Sequence, residues 1–378
     1  MRLTRRSLIA ATAGLAAAPA LTTTPTLAQA PQFTFRLQHF LPAQSNQHRD
    51  WFLPWAEKIN KESGGRIKIE VYPSMQLGGR PPQLFDQARD GVVDIVWTLA
   101  GNTPGRFPRL EVFELPFVSA GLGEQTSRAV WEYYEKYSKN ELKDVKVLAV
   151  FCHGKGNIYS KDRTIKSPGD VKGLKIRVPS RPINDEMQLM GAIPQAIPAP
   201  GVPEALAKGV VDGVVMPYEI VPALKLDELT NNVSVFEGNR SLYTIVFLFA
   251  MNKAKYDALP DDLKKVIDNN SGGDFSRGLG KWFDDWDKLG IAAVEKAKMK
   301  VTPIGGADLE GWKASSKPVL DAWVEGRTKA GDNGAELLKS AQDLMTKYAP
   351  YAPFRTISRG RGGKAAPDFP VKIDQRAG

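Results

Sequence analysis

Cys152 is followed directly by His153, which sets a nucleophile beside a general base. Neighbours in an extended run point to opposite faces, so the two cannot address one substrate from one side. Cys152 is also the only cysteine, can form no internal disulfide, and reads as a filler of the core. The three histidines, His39, His48 and His153, are too scattered for zinc-ligand spacing, and no His-Glu-x-x-His run exists, so no metal is expected. There is no Gly-x-Ser-x-Gly elbow, no phosphate loop ending in Gly-Lys-Ser or Gly-Lys-Thr, and no Gly-x-Gly-x-x-Gly after a strand. Covalent hydrolases and nucleotide enzymes lack their signatures here. No catalytic constellation emerges from these residue types, and no cofactor is expected.

The elements that would carry a binding site are legible as alternating periods. Phe33, Phe35 and Leu37 alternate with polar residues, Trp51, Phe52, Trp55 and Ile59 recur at helical spacing, and Ile67, Ile69 and Val71 alternate again. This predicts strand, helix, strand, with Ser63-Gly64-Gly65 closing the helix and Leu77-Gly78-Gly79 making a turn. Further apolar runs at Val92 to Trp97, Lys146 to Phe151, Leu174 to Val178 and Val210 to Met216, with helical patterns between them, imply an α/β fold around mostly parallel sheets. In such sheets ligands sit beyond the carboxyl ends of the strands. From Asp274 to Lys298 a helical period runs without proline. At the α-helical rise this segment is about 37 Å long, enough to lie across two domains.

Composition narrows the partners. The chain has 378 residues, 42% of them hydrophobic, sufficient for two buried cores, and a formal charge of +9. The first thirty residues hold three arginines and no acid, and Arg355 to Gly378 holds six basic residues against Asp368 and Asp374. Without these ends the body carries 42 basic and 40 acidic residues, which excludes the basic stripe of a nucleic-acid binder. Residues 1–30, opening Thr4-Arg5-Arg6-Ser7-Leu8-Ile9 and reaching small residues at Ala28 and Ala30, read as a twin-arginine export signal, so a periplasmic location is expected. Residues 351–378 read as a flexible basic tail.

The middle of the chain reads Ser167-Pro168-Gly169-Asp170-Val171-Lys172-Gly173-Leu174-Lys175-Ile176-Arg177-Val178-Pro179, followed later by Gly209-Val210-Val211-Asp212-Gly213. With Tyr72-Pro73-Ser74-Met75-Gln76-Leu77-Gly78, Leu115-Pro116-Phe117 and Leu259-Pro260-Asp261-Asp262-Leu263 in the same order, the chain resembles the DctP-type solute receptors of tripartite ATP-independent periplasmic (TRAP) transporters. The resemblance implies a two-domain periplasmic binding protein fold, with residues 31–153 and 243–282 in domain I, 154–242 and 283–350 in domain II, and a long helix spanning both. It implies a monomer that delivers a small organic acid to a small and a large membrane subunit. An ABC-importer receptor and a periplasmic enzyme on the same scaffold are the alternatives.

By the same resemblance Arg177 binds the ligand carboxylate. A planar guanidinium offers two parallel donors and keeps its charge in a dehydrated cleft. Many members carry a second arginine where this chain has Asn157, and an asparagine where it has Met216. Phe40, Trp97 and Thr98 are expected to line the cleft from the first domain and Tyr243 to stand near the hinge, with His39 and Gln76 as candidates for orienting the ligand. One charged clamp among apolar positions points to a monocarboxylate with an apolar or aromatic body.

Overall fold

The alternation at Phe33, Phe35 and Leu37 becomes strand β1 (Phe33–Gln38) in the computed structural model, which describes residues 30–348. The export signal, but for Ala30, and the basic tail lie outside the described residues. Ten further strands follow: β2 (Ile67–Tyr72), β3 (Ile95–Leu99), β4 (Val145–Cys152), β5 (Gly156–Ser160), β6 (Lys175–Val178), β7 (Ile193–Ala196), β8 (Gly213–Pro217), β9 (Asn232–Phe236), β10 (Val246–Asn252) and β11 (Lys300–Ile304). They form one sheet of order β2-β1-β3-β10-β4 and a second of order β11-β9-β5-β8-β6-β7.

Each sheet has a single reversed strand, and connectivity explains which one. β10 pairs antiparallel with β3 and β4, and β5 pairs antiparallel with β8 and β9. These are the two strands that receive the chain directly from a strand of the other sheet, β4 into β5 and β9 into β10. A strand that begins where the neighbouring sheet's strand ended must run away from the junction. All other strands therefore point their carboxyl ends at it, the edge of an α/β sheet where ligands bind.

The long helix is present as Gly273–Lys296. Gly280 and Gly290 let it approach loop backbone: a Cβ would lie 2.4 Å from Gly123 O at the first and 1.8 Å from Tyr218 O at the second. Between them Asp284 accepts from the N–H groups of Gly123 (2.6 Å) and Glu124 (2.9 Å), and Asp287 accepts from that of Glu219 (2.9 Å). One helix thus holds the start of the helix Gly123–Tyr133, beside the first sheet, and the loop after β8 in the second. Among the described residues no helix is long and apolar enough to cross a membrane.

The terminal helix departs from the sequence-based assignment of residues 283–350 to the second domain. Gly306–Lys329 does pack on the second sheet's helix Arg181–Leu189, but Gly334–Lys347 returns to Gly123–Tyr133. Arg109 pairs with Asp332 (2.6 Å), the Tyr137 hydroxyl meets that of Ser340 (2.8 Å), and Lys347 pairs with Glu132 (2.7 Å). Leu337, Ala341 and Met345 are the buried face. Helical periodicity identifies such a face, not which sheet's helices it covers.

Glu186 is buried where Arg181–Leu189 meets Gly306–Lys329, its Oε1 accepting from Ser316 Oγ (2.5 Å) and its Oε2 unpartnered. Burial pushes this carboxyl up to about 8 from an ordinary 4.5. Between those values the folded chain holds a proton that the unfolded chain releases. The stabilising contribution is complete below the ordinary value and is lost as pH rises through about 8. Glu186→Gln is therefore expected to shrink the drop in melting temperature between about pH 5.5 and about pH 8.5, measured beside the parent chain.

Candidate functional site

Arg177 lies in β6, one residue from its carboxyl end, and strand register places it among its neighbours. It pairs with Val214 of β8, while Met216 of β8 pairs with Asn157 of β5. Side chains two apart share a face, so Arg177, Met216 and Asn157 lie on the same side of the second sheet. The Arg177 Nε donates to Ile197 O (2.7 Å), and one terminal nitrogen donates to Val215 O (3.1 Å) and approaches the Met216 sulfur (3.4 Å). Arg177 is only 3% exposed and forms no ion pair with any described carboxylate. Burial lowers its pKa to about 10, so it remains a cation at neutral pH. A buried charge without a counter-charge is costly, and an anionic ligand would remove that cost.

Arg177 forms part of the wall of a cavity between the two sheets. From the first sheet come Phe40, Trp97 and Phe247. The Phe40 and Trp97 rings stack at 4.7 Å and 17°, and Phe247 lies 5.1 Å from Trp97. From the second come Met216, Pro217 and Glu219. Arg177 is the only cationic residue in the wall, and most of the remainder is apolar or aromatic.

The crossing segments complete the wall with His153 and Tyr243. The His153 ring binds backbone on both sides, Nδ1 to Gly154 O (2.9 Å) and Nε2 to the Ile245 N–H (3.1 Å), while Thr244 Oγ1 donates to His153 O (2.9 Å). Nε2 accepts, so Nδ1 carries the hydrogen. Burial holds this imidazole near 4, neutral at physiological pH. His153 thus ties the first crossing to the second. Ser241 does the same, its Oγ accepting from the Gly156 N–H (2.9 Å) and donating to Tyr243 O (2.6 Å).

The Tyr243 ring lies directly against Gly156, where an added Cβ would fall 1.9 Å from a ring carbon. Gly156→Ala is expected to drive the ring out of place, lowering ligand affinity at least about tenfold together with stability, as overpacking costs typically 1–3 kcal/mol. Calorimetric titration and thermal melting of the variant check both effects.

Five residues singled out from sequence meet at this cavity: Arg177, Trp97, Phe40, Met216 and Tyr243. Asn157 does not bound it, yet it is fully buried one strand away, with both amide atoms unpartnered. Thr98 turns to the opposite face of β3 from Trp97, its hydroxyl 3.5 Å from Pro81 O. His39 packs behind the wall, Nε2 meeting His48 Nδ1 at 3.0 Å and its ring stacked on Phe52 at 4.6 Å. Burial, and then the neighbouring His48, push its pKa down to about 3, so it stays neutral. Gln76 is exposed on the loop after β2. Thr98, His39 and Gln76 are thus not brought to the wall. Cys152 is buried, its thiol pushed well up by desolvation, while His153 beside it faces the cavity, as strand alternation requires.

Glu219, His153 and Phe247 are among the wall residues that sequence reasoning did not select. Glu219 carries a usable signal, an acid in Met216-Pro217-Tyr218-Glu219-Ile220 just past a strand's carboxyl end.

Comparison with known proteins agrees with this architecture. A crystallised TRAP solute-binding protein from a marine metagenome, specific for aromatic acid ligands, is 46% identical with a TM-score of 0.82, covering 84% of this chain and 100% of that one. It was solved with meta-hydroxyphenylacetate and, separately, with 3-hydroxybenzoate. A TRAP solute-binding protein from Rhodoferax ferrireducens, solved with copurified benzoate, is also 46% identical, with a TM-score of 0.81 over 83% of this chain and 98% of that one. Among curated proteins, the outer membrane transporter protein TsaT of Comamonas testosteroni is 29% identical over 318 residues, 83% of this chain and 92% of that protein. The family is made of receptors that bind solutes for transporters, not of enzymes. With the model of bacterial extracellular solute-binding protein family 7 matching residues 37–326, the chain belongs to the DctP family, the solute-binding proteins of TRAP transporters.

Proposed function

We propose that this receptor captures an aromatic monocarboxylate between its two sheets and passes it, in the periplasm, to the membrane subunits of a TRAP transporter. The observation that carries the reading is Arg177, a buried cation with no anionic partner in an otherwise apolar, aromatic cavity. The benzoate and 3-hydroxybenzoate held by similar proteins support the ligand class. The carboxylate takes two parallel donors from Arg177, and Trp97, Phe40 and Met216 cover the ring.

Two lobes built on the two sheets close over the ligand, with residues near 153 and 243 as hinges and the long helix as their common support. The pairing of Arg181 with Glu111, both guanidinium donors on one carboxylate, joins the lobes beside the cleft. Ligand that prefers the closed arrangement shifts the equilibrium toward it. The protein acts as a monomer, exported by the twin-arginine route. A thermal-shift screen tests the ligand class: benzoate and its ring-substituted relatives raise the melting temperature by mass action, and a response confined to dicarboxylates or sugar acids overturns the reading.

A further inference from the structure

We propose that Glu219 reads a hydroxyl on the ligand's ring and makes the cavity prefer hydroxylated aryl carboxylates over the unsubstituted acid. This rests on the aryl-carboxylate reading above and assigns the second polar contact of the same cavity.

Several observations converge on Glu219. It forms part of the cavity wall with Arg177, is only 4% exposed, and its Oε2 has no hydrogen-bond partner. It makes no ion pair with Arg177, and these two, with His153 and Tyr243, are the polar points in an otherwise apolar wall. Its backbone is fixed from behind, the N–H donating to Asp287 Oδ1 of the long helix (2.9 Å) and the preceding Tyr218 carbonyl lying against Gly290. The backbone that carries the buried carboxyl is thereby held against the long helix.

The state of this carboxyl decides what it can recognise. Burial, reinforced by the nearby Asp287, pushes it well above the usual carboxylate range, which favours the protonated acid with one donor and free acceptor capacity. A neutral acid neither repels the ligand's carboxylate as a full charge nor competes for Arg177. A phenolic hydroxyl, itself both donor and acceptor, satisfies it. A bare ring leaves the group buried and unpaired, which is the arrangement that discriminates strongly against a ligand lacking its hydroxyl.

The test is calorimetric titration of the full chain, and of Glu219→Gln and Glu219→Leu, with benzoate and with 3-hydroxybenzoate. The parent chain is expected to bind 3-hydroxybenzoate roughly tenfold or more tighter than benzoate. Glu219→Leu removes that preference while leaving benzoate as tight or tighter, and Glu219→Gln, which keeps a donor and an acceptor of the same shape, retains most of it. A preference that survives in Glu219→Leu, or an equal loss for both ligands in a folded Glu219→Gln protein, overturns the assignment while leaving the aryl-carboxylate reading intact. If the parent chain binds neither acid, both fall together.

Discussion

Replacing Arg177 with alanine is expected to weaken benzoate binding at least about 100-fold while the protein remains folded. Removing one partner of a buried ion pair leaves the other charge uncompensated, at about 3–5 kcal/mol, and about 1.4 kcal/mol corresponds to tenfold in affinity. The free protein should tolerate the change. It loses the hydrogen bonds to Ile197 O and Val215 O but also the cost of burying an unpaired cation. Arg177→Lys is expected to fall between, since an ammonium keeps the charge and loses the two parallel donors. Titration calorimetry with a thermal melt on each variant separates lost binding from lost fold. Unchanged affinity in a folded Arg177→Ala protein would remove the clamp from the mechanism.

Trp97→Ala should produce the largest loss of stability among the wall residues. Trp97 is 1% exposed and its ring lies within 6.5 Å, centre to centre, of Phe40, Trp51, Phe52, Phe247 and Phe283. Truncating a buried tryptophan costs about 3–5 kcal/mol, because the surrounding rings cannot collapse into the space. Denaturant unfolding measures this directly. The same change removes a wall against which an aryl ligand stacks, so affinity falls in the fraction that stays folded. Trp97→Phe, which preserves an aromatic wall, should recover most of both. A Trp97→Ala protein of parental stability would contradict the packing described here.

How much of this was legible beforehand depended on whether a segment's pattern reports its own environment or someone else's. β1, β2, the helix after Trp51 and the long helix were readable because a half-buried element alternates with its own period, and β3, β4, β6 and β8 were readable as short apolar runs. β5, Gly156-Asn157-Ile158-Tyr159-Ser160, is buried at every position and shows no alternation; it exists because β8 and β9 flank it. β10 reads as a continuous apolar run for the same reason. The reversed direction of both strands follows from chain crossing between sheets, which local sequence does not encode. Arg177, Trp97 and Phe40 were accessible because motif order and strand ends marked them. Thr98 failed by one position of strand alternation, and His39 because a histidine following a strand can turn into the core, as it does onto His48 and Phe52. Glu219 escaped because its importance arises from tertiary burial and from Asp287, sixty-eight positions away.

We propose that one buried cation in an aromatic cavity selects one acid group on an apolar body. It is tested most directly by titrating the parent chain with benzoate, succinate and glucuronate under identical conditions. Benzoate is expected to saturate a single site, with succinate and glucuronate at least about 100-fold weaker, because a second carboxylate or a ring of hydroxyls would enter an apolar wall without partners, at several kcal/mol. Tight binding of succinate or glucuronate, with benzoate inert, would contradict it.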